Sequence, residues 1–275
     1  TPAAVGKIEA RVREVIASIF DELPNGEFDW IEHVAEPFPV YVFAHLLGVP
    51  AADWPKVAGW ATTIAKVGSG VAEDSDMETI FGEVAPYLMD LVARRAAEPT
   101  DDLLSMLSQV RIDGEPFNEI QVMTYALTLL AAGSETTQSL IAGIAACFDM
   151  HPDQAQQAFV DPEVGNNAVE EGLRVTIREG DGLLLAYASA NRDAEHWGPT
   201  AEEFDVHRAD ASGHLGFGVG EHFCMGAALA RREARVVLDE VIKRAKGLRV
   251  TGEAVPRPSA LVHTFDRLPV TLDYR

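Results

Sequence analysis

Apolar residues recur at three- and four-residue intervals along most of the chain, the spacing that lines one face of a helix. Ile8, Val12, Val15, Ile16 and Ile19 predict an amphipathic helix over residues 3–22. A short apolar helix is expected over 40–47, bracketed by Pro37, Pro39 and Pro50 and ended by Gly48. Helices over 52–67 and 78–97 follow. Between them, Gly68-Ser69-Gly70 and the acidic run Glu73-Asp74-Ser75-Asp76 read as an exposed loop. Pro99-Thr100-Asp101-Asp102 reads as a turn and N-cap before a helix over 103–110, and Gly114-Glu115-Pro116 as another turn. Asn118 then caps a helix running to about Met150, stopped by His151-Pro152. It is long for a globular protein and apolar nearly all round, so it is expected to cross the core.

A further helix is predicted over 165–175, and then the period changes. Residues 182–187 are a strand candidate, 189–222 are mostly loop, and 226–246 form a helix that Gly247 stops. Residues 248–250, 261–265 and 270–272 read as short strands. The class is mainly α with a small β portion. A single domain over 1–275 is expected, with a helical part over 1–175 and a loop-and-strand part over 176–275.

Composition narrows the partners. The net charge is −21 over 275 residues, which argues against nucleic acid and against an anionic membrane surface. Two cysteines, Cys147 and Cys224, are too few for a disulfide scaffold and suit a reducing compartment. The first residues hold no apolar signal core. The longest apolar tract, 122–148, is broken by Ser134-Glu135-Thr136-Thr137-Gln138, as a buried helix would be and a membrane span would not.

Three stretches could carry chemistry. In Phe217-Gly218-Val219-Gly220-Glu221-His222-Phe223-Cys224-Met225-Gly226, a thiol sits in a glycine-rich loop just before a helix, an arrangement suited to a soft metal. A buried structural cysteine is the plainer reading. Zinc is disfavoured, since no second cysteine makes a Cys-x-x-Cys pair. In Ala132-Gly133-Ser134-Glu135-Thr136-Thr137, an acid lies inside an apolar helix, where it is costly unless paired or used. The small pair before it leaves room, and threonine can bond back to an upstream carbonyl. In Glu171-Gly172-Leu173-Arg174, acid and base three apart share a helix face, which alone is a common surface pattern.

Together these stretches resemble the cytochrome P-450 family of haem-thiolate monooxygenases, in its bacterial soluble form. The resemblance implies the cytochrome P-450 fold and haem b as cofactor. It implies Cys224 as axial thiolate on the haem iron, with Phe217 packing near the sulfur and His222 contacting a propionate. Gly218 and Gly226 complete the loop, and His214, in Gly213-His214-Leu215, is a candidate contact behind it. By the same resemblance, Ala132 and Gly133 would admit oxygen, Thr136 would stand over the oxygen-binding position and Glu135 would relay protons. The family more often carries Asp at that acid. Glu171, Arg174 and Arg208 would form a structural network that locks the thiolate-bearing segment. Asn191-Arg192-Asp193 is also typical of bacterial members.

The implied activity inserts one oxygen atom from O2 into a largely hydrophobic small molecule in the cytoplasm. An acidic electron carrier such as a ferredoxin would supply the electrons and could dock near Arg231, Arg232 and Arg235. A non-catalytic haem or ligand binder of the same fold is the rival reading, though such a binder has no need of a buried acid–threonine pair. Two departures stand out. The family's N-terminal lobe does not precede residue 1, and the connector near Val175-Thr176 is short. The chain is expected to be parts of a longer protein brought end to end rather than a shortened relative, because loss of a lobe would bare apolar faces.

Overall fold

Several helix starts in this chain are set by side chains that answer the free N–H groups of a first turn. The computed structural model describes residues 2–68, 72–112, 114–175, 190–220, 223–257 and 264–275. The strand candidate at 182–187 lies outside them. Helices are α1 (Pro2–Asp21), α2 (Pro37–Leu46), α3 (Trp54–Gly68), α4 (Asp74–Thr79), α5 (Ala85–Ala97), α6 (Leu103–Ser108), α7 (Glu119–Met150), α8 (Pro152–Val160), α9 (Pro162–Val175), α10 (Ala194–Trp197) and α11 (Ala227–Arg244). Strands are β1 (Glu27–Asp29), β2 (Arg111–Ile112), β3 (Glu115–Pro116), β4 (Ala245–Val250), β5 (Val255–Pro256), β6 (Phe265–Arg267) and β7 (Pro269–Tyr274). The protein is therefore mainly helical with small antiparallel sheets, as expected. Among the described residues, no helix is long and apolar enough to cross a membrane.

The acidic run is a helix start rather than a loop. Glu73 caps α4 in a capping box with Asp76, and Asp76 is buried against Lys66. Carboxylates belong there because the first turn of a helix presents unsatisfied N–H groups and a positive dipole end. Asn118 caps α7 as predicted: its Oδ1 accepts the Gln121 N–H at 2.9 Å, and Gln121 returns the favour to the Asn118 N–H. Only the second half of α7 is buried all round, with residues 137–145 buried without interruption. In the first half Gln121, Thr124, Tyr125, Thr128, Ala132 and Thr136 form an exposed stripe at helical spacing. Helix α11 ends two residues earlier than predicted. Ala245 is already extended and paired with Tyr274 of β7, and Gly247 sits at a bulge inside β4 instead of capping the helix.

The chain divides into two compact units, one of residues 1–35 and 136–275, the other of 36–135. In the first, β1, β7 and β4 form a sheet in that order, with Phe28 opposite Val270 and Leu248 opposite Leu272. The Asp29 carboxylate ties the sheet edge together by accepting the Ile31 and Leu268 N–H groups at 2.9 and 3.0 Å. The core lies where Ile141, Ile144, Ala145 and Phe148 of α7 face Ala234, Val237, Leu238 and Val241 of α11, with Trp30 at one side.

Two acidic residues of α11 are buried, Glu233 and Glu240, and Glu240 pairs with Arg244. Glu233 is wholly buried, and neither carboxyl oxygen has a partner in hydrogen-bond geometry. Burial pushes its carboxyl well above the ordinary range; the Thr137 hydroxyl of α7 pulls weakly the other way. Burial therefore favours the neutral form of Glu233.

In the second unit, α2 and α3 pack together, and the Trp54 indole donates to the Val49 carbonyl at 3.1 Å. Gly48 follows α2 with φ of +77°, and its carbonyl accepts from Arg95 at 2.7 Å. A Cβ there would stand 2.1 Å from Asp102 Oδ2, the carboxylate that pairs with Arg95 and caps α6 through the Ser105 N–H.

Two outcomes follow for stability. Gly48→Ala combines a left-handed backbone with a steric clash and should cost about 2 kcal/mol or more, read as a lowered midpoint in thermal unfolding. A raised folded-state pKa at Glu233 contributes stability that is complete below the unfolded value of about 4.3 and is lost as pH rises toward the folded value. Relative to the native chain, Glu233→Gln should therefore gain about 1.4 kcal/mol for each pH unit in that window. A stability difference that is flat from pH 4 to 9 would contradict a neutral buried acid.

Candidate functional site

The Cys224 loop is built from two reversals. Gly218 and Gly220 have φ of 71° and 68°, a conformation that side-chain-bearing residues rarely adopt. They turn the backbone so that the Gly218 N–H donates to the Leu215 carbonyl and the Phe223 N–H to the Gly220 carbonyl. The loop closes when the Cys224 N–H donates to the Phe217 carbonyl at 2.9 Å. Immediately afterwards Gly226 opens α11, and a Cβ on it would lie 3.7 Å from the Cys224 sulfur. The thiol thus stands at the N-terminus of an 18-residue helix.

The surroundings fit a broad, flat, apolar group bound through sulfur. Cys224 is exposed, and so are Val219, Phe223 and Met225 beside it. Apolar side chains clustered around an exposed thiol are what a haem face would cover. Among the described residues, no cluster of three or more His, Cys, Asp or Glu side chains could hold a bare metal ion. His222 lies outside the described residues.

Behind the loop is a network that the sequence reading only partly found. Glu170 of α9 accepts from Arg231 of α11 through both oxygens, at 2.6 and 3.0 Å, and from His214 Nε2 at 3.1 Å. Burial works against the Glu170 charge, but the His214 and Arg231 hydrogen bonds outweigh it and hold the carboxyl below its ordinary range. The Gly216 N–H donates to His214 Nδ1 at 2.9 Å, so the ring proton is on Nε2. His214 is buried and faces protein on both nitrogens. The guanidinium of Arg231 lies 4.6 Å from the Phe217 ring centroid, and the His214 ring lies 5.6 Å from it. Asn191 joins the same segment by accepting the Leu215 N–H at 2.7 Å.

The structural lock is present in its described half. Glu171 is fully buried and meets Arg208 Nε with both oxygens, at 3.2 and 3.1 Å, and also accepts the Asp205 N–H at 2.8 Å. The terminal nitrogens of Arg208 reach the Thr200 carbonyl at 2.7 Å and the Glu203 carbonyl at 3.2 Å. The Arg174 side chain lies outside the described residues. Sequence reasoning missed Asn167, which donates to the Arg208 carbonyl at 3.0 Å, and Glu170. Glu170 carried a signal: it is the first of two consecutive acids, directly after the apolar Ala168-Val169 pair of an amphipathic helix.

On α7, Thr136 and Ala132 lie on the exposed stripe and Glu135 is half-buried. The room beside Gly133 is filled: a Cβ there would meet the Phe43 ring at 2.1 Å. The basic residues of α11 are matched by carboxylates, Arg231 by Glu170, Arg232 by Glu9 at 3.0 Å and Arg235 by Asp239 at 2.8 Å.

Known proteins resemble this chain in sequence and fold. Residues 157–258 match the sequence profile described as cytochrome P450. Vitamin D(3) 25-hydroxylase of Pseudonocardia autotrophica is 35% identical over 301 residues, covering 100% of this chain and 73% of the relative. The 6-deoxyerythronolide B hydroxylase of Saccharopolyspora erythraea is 35% identical over 297 residues, covering 98% and 72%. The solved structure of cytochrome P450 CYP109Q5 from Chondromyces apiculatus superposes with a TM-score of 0.87 at 31% identity, covering 100% of this chain and 74% of that one. The chain therefore belongs to the cytochrome P450 family of haem-thiolate monooxygenases.

Proposed function

We propose that Cys224 is the thiolate ligand of haem b, and that the chain inserts one oxygen atom from O2 into a largely hydrophobic small molecule. The observation that carries this reading is the exposed Cys224 thiol at the start of α11, among exposed Val219, Phe223 and Met225. Haem, when bound, supplies the oxygen-activating chemistry. The protein holds its sulfur ligand, shields the reacting face from water and handles protons. Phe217, Gly218 and Gly226 keep the sulfur-bearing loop folded, His222 is assigned to a propionate, and His214 braces the loop through Glu170 and Gly216.

Thr136 is assigned a proton held at Oγ1, and Glu135 its resupply from solvent, which the exposed stripe of α7 makes accessible. Ala132, one turn before Thr136 on that stripe, leaves space for oxygen; the space at Gly133 is taken by Phe43. Glu171, Arg174 and Arg208 hold the segments that carry the ligand loop. The hydroxylases of vitamin D(3) and of 6-deoxyerythronolide B support a small organic molecule as substrate. A ferredoxin-type carrier is the assigned electron donor, docking on α11. Because Arg231, Arg232 and Arg235 already pair with carboxylates, its acidic surface must exchange with those pairs.

The reduced, carbon-monoxide-bound protein should show the strongly red-shifted Soret band of thiolate ligation, and Cys224→Ala should lose it. A band that survives in Cys224→Ala removes Cys224 as ligand. Thr136→Ala should keep the band while product formed per electron falls by roughly tenfold. An unchanged yield would take the proton role away from Thr136.

A further inference from the structure

We infer that Arg231 is a positioning residue for the Cys224 loop: clamped by Glu170, its guanidinium fixes the Phe217 ring and sets the charge seen by the sulfur. The inference rests on the assignment of Cys224 as thiolate ligand. Arg231 uses two properties that lysine lacks. Its planar fork meets both oxygens of Glu170, at 2.6 and 3.0 Å, and the same plane covers the Phe217 ring at 4.6 Å. Side-chain exposure is 31% for Arg231 and 19% for Glu170, so the pair is only partly screened by solvent.

From the ring the connection continues through one backbone bond. The Phe217 carbonyl accepts the Cys224 N–H at 2.9 Å, and the Phe217 ring meets the Phe223 ring at 6.4 Å. A second arm leaves the same carboxylate. Glu170 Oε2 accepts from His214 Nε2, and His214 Nδ1 accepts the Gly216 N–H next to Phe217. Both arms refer the loop to one side chain of α9. His214 Nε2 and the Arg231 terminal nitrogen are 3.4 Å apart as two donors converging on that oxygen. Groups behind a metal ligand orient it and tune its donor strength.

The charges give a signature that scaffolding alone would not. Arg231→Met leaves the Glu170 carboxylate without its cation behind the Cys224 loop, which favours the oxidised iron and lowers the reduction potential. Glu170→Gln leaves the Arg231 cation uncompensated and raises it. Arg231→Lys keeps the charge but loses the fork and the stack. Its potential should stay close to the native value, while the Cys224 amide of the haem-free protein should exchange hydrogen faster by roughly tenfold.

The experiment measures reduction potentials of the haem-loaded variants and amide exchange of the haem-free proteins, with Cys224→Ala as control. Shifts of opposite sign in Arg231→Met and Glu170→Gln, with faster exchange in Arg231→Lys, support the inference. Where Cys224→Ala loses the thiolate band but the two potentials are unchanged or move together, Arg231 is structural only and the inference falls alone. Should Arg231→Met or Glu170→Gln fail to fold, unchanged Cys224 exchange in Arg231→Lys overturns it. A thiolate band that persists in Cys224→Ala removes the ligand assignment, and the inference with it.

Discussion

A carboxylate that has left water must have its oxygens answered by donors, and two adjacent glutamates of α9 meet this condition in different directions. Consecutive helical residues point about 100° apart. Glu171 therefore faces Arg208 and the loop around Asp205, while Glu170 faces His214 and Arg231. One helix thus fixes both the segment that approaches the ligand loop and the helix that leaves it. Removing the partner of Glu171 would strand a buried charge, so the cost of breaking that pair greatly exceeds the net worth of making it.

The chain has 43 acidic and 22 basic residues, so arginine is the scarcer partner. Many of its arginines pair with that acid excess. Arg95 bridges Asp102 and the Gly48 carbonyl in one unit. In the other, Arg244 pairs with Glu240 and Asp21, and Arg13 with Glu9 and Asp239. Ion pairs built this way give the described surface local order.

Most helices were legible because caps and apolar period agree. Asn118 and Asp102 cap α7 and α6, and Pro152 stops α7. What failed did so where tertiary pairing overrides local signals. The acids at Glu73 and Asp76 read as solvated until the α4 N-terminus and Lys66 claim them. Gly247 reads as a helix stop, yet the edge of β7 takes over at Ala245. Three-residue β1 has too few positions to show a period. In the site, the glycine-rich loop marked Cys224, while Phe217, Glu171 and Arg208 were legible only through the family resemblance, since Glu171 and Arg208 lie thirty-seven residues apart. Arg231 was read as a surface charge, since nothing local shows that Glu170, sixty-one residues earlier, and Phe217 would claim it.

The sheet that joins β1 to β7 has a bearing on how the protein is made. Phe28 pairs with Val270, so the unit that holds Cys224 closes only after nearly the entire chain exists. The other unit is one uninterrupted stretch, residues 36–135, whose contacts are all available much earlier in synthesis. Closing so distant a strand pair is entropically slow. During that delay the apolar faces of α1 and of the second half of α7 wait uncovered for α11, and this is the stage at which the nascent protein most needs protection from aggregation.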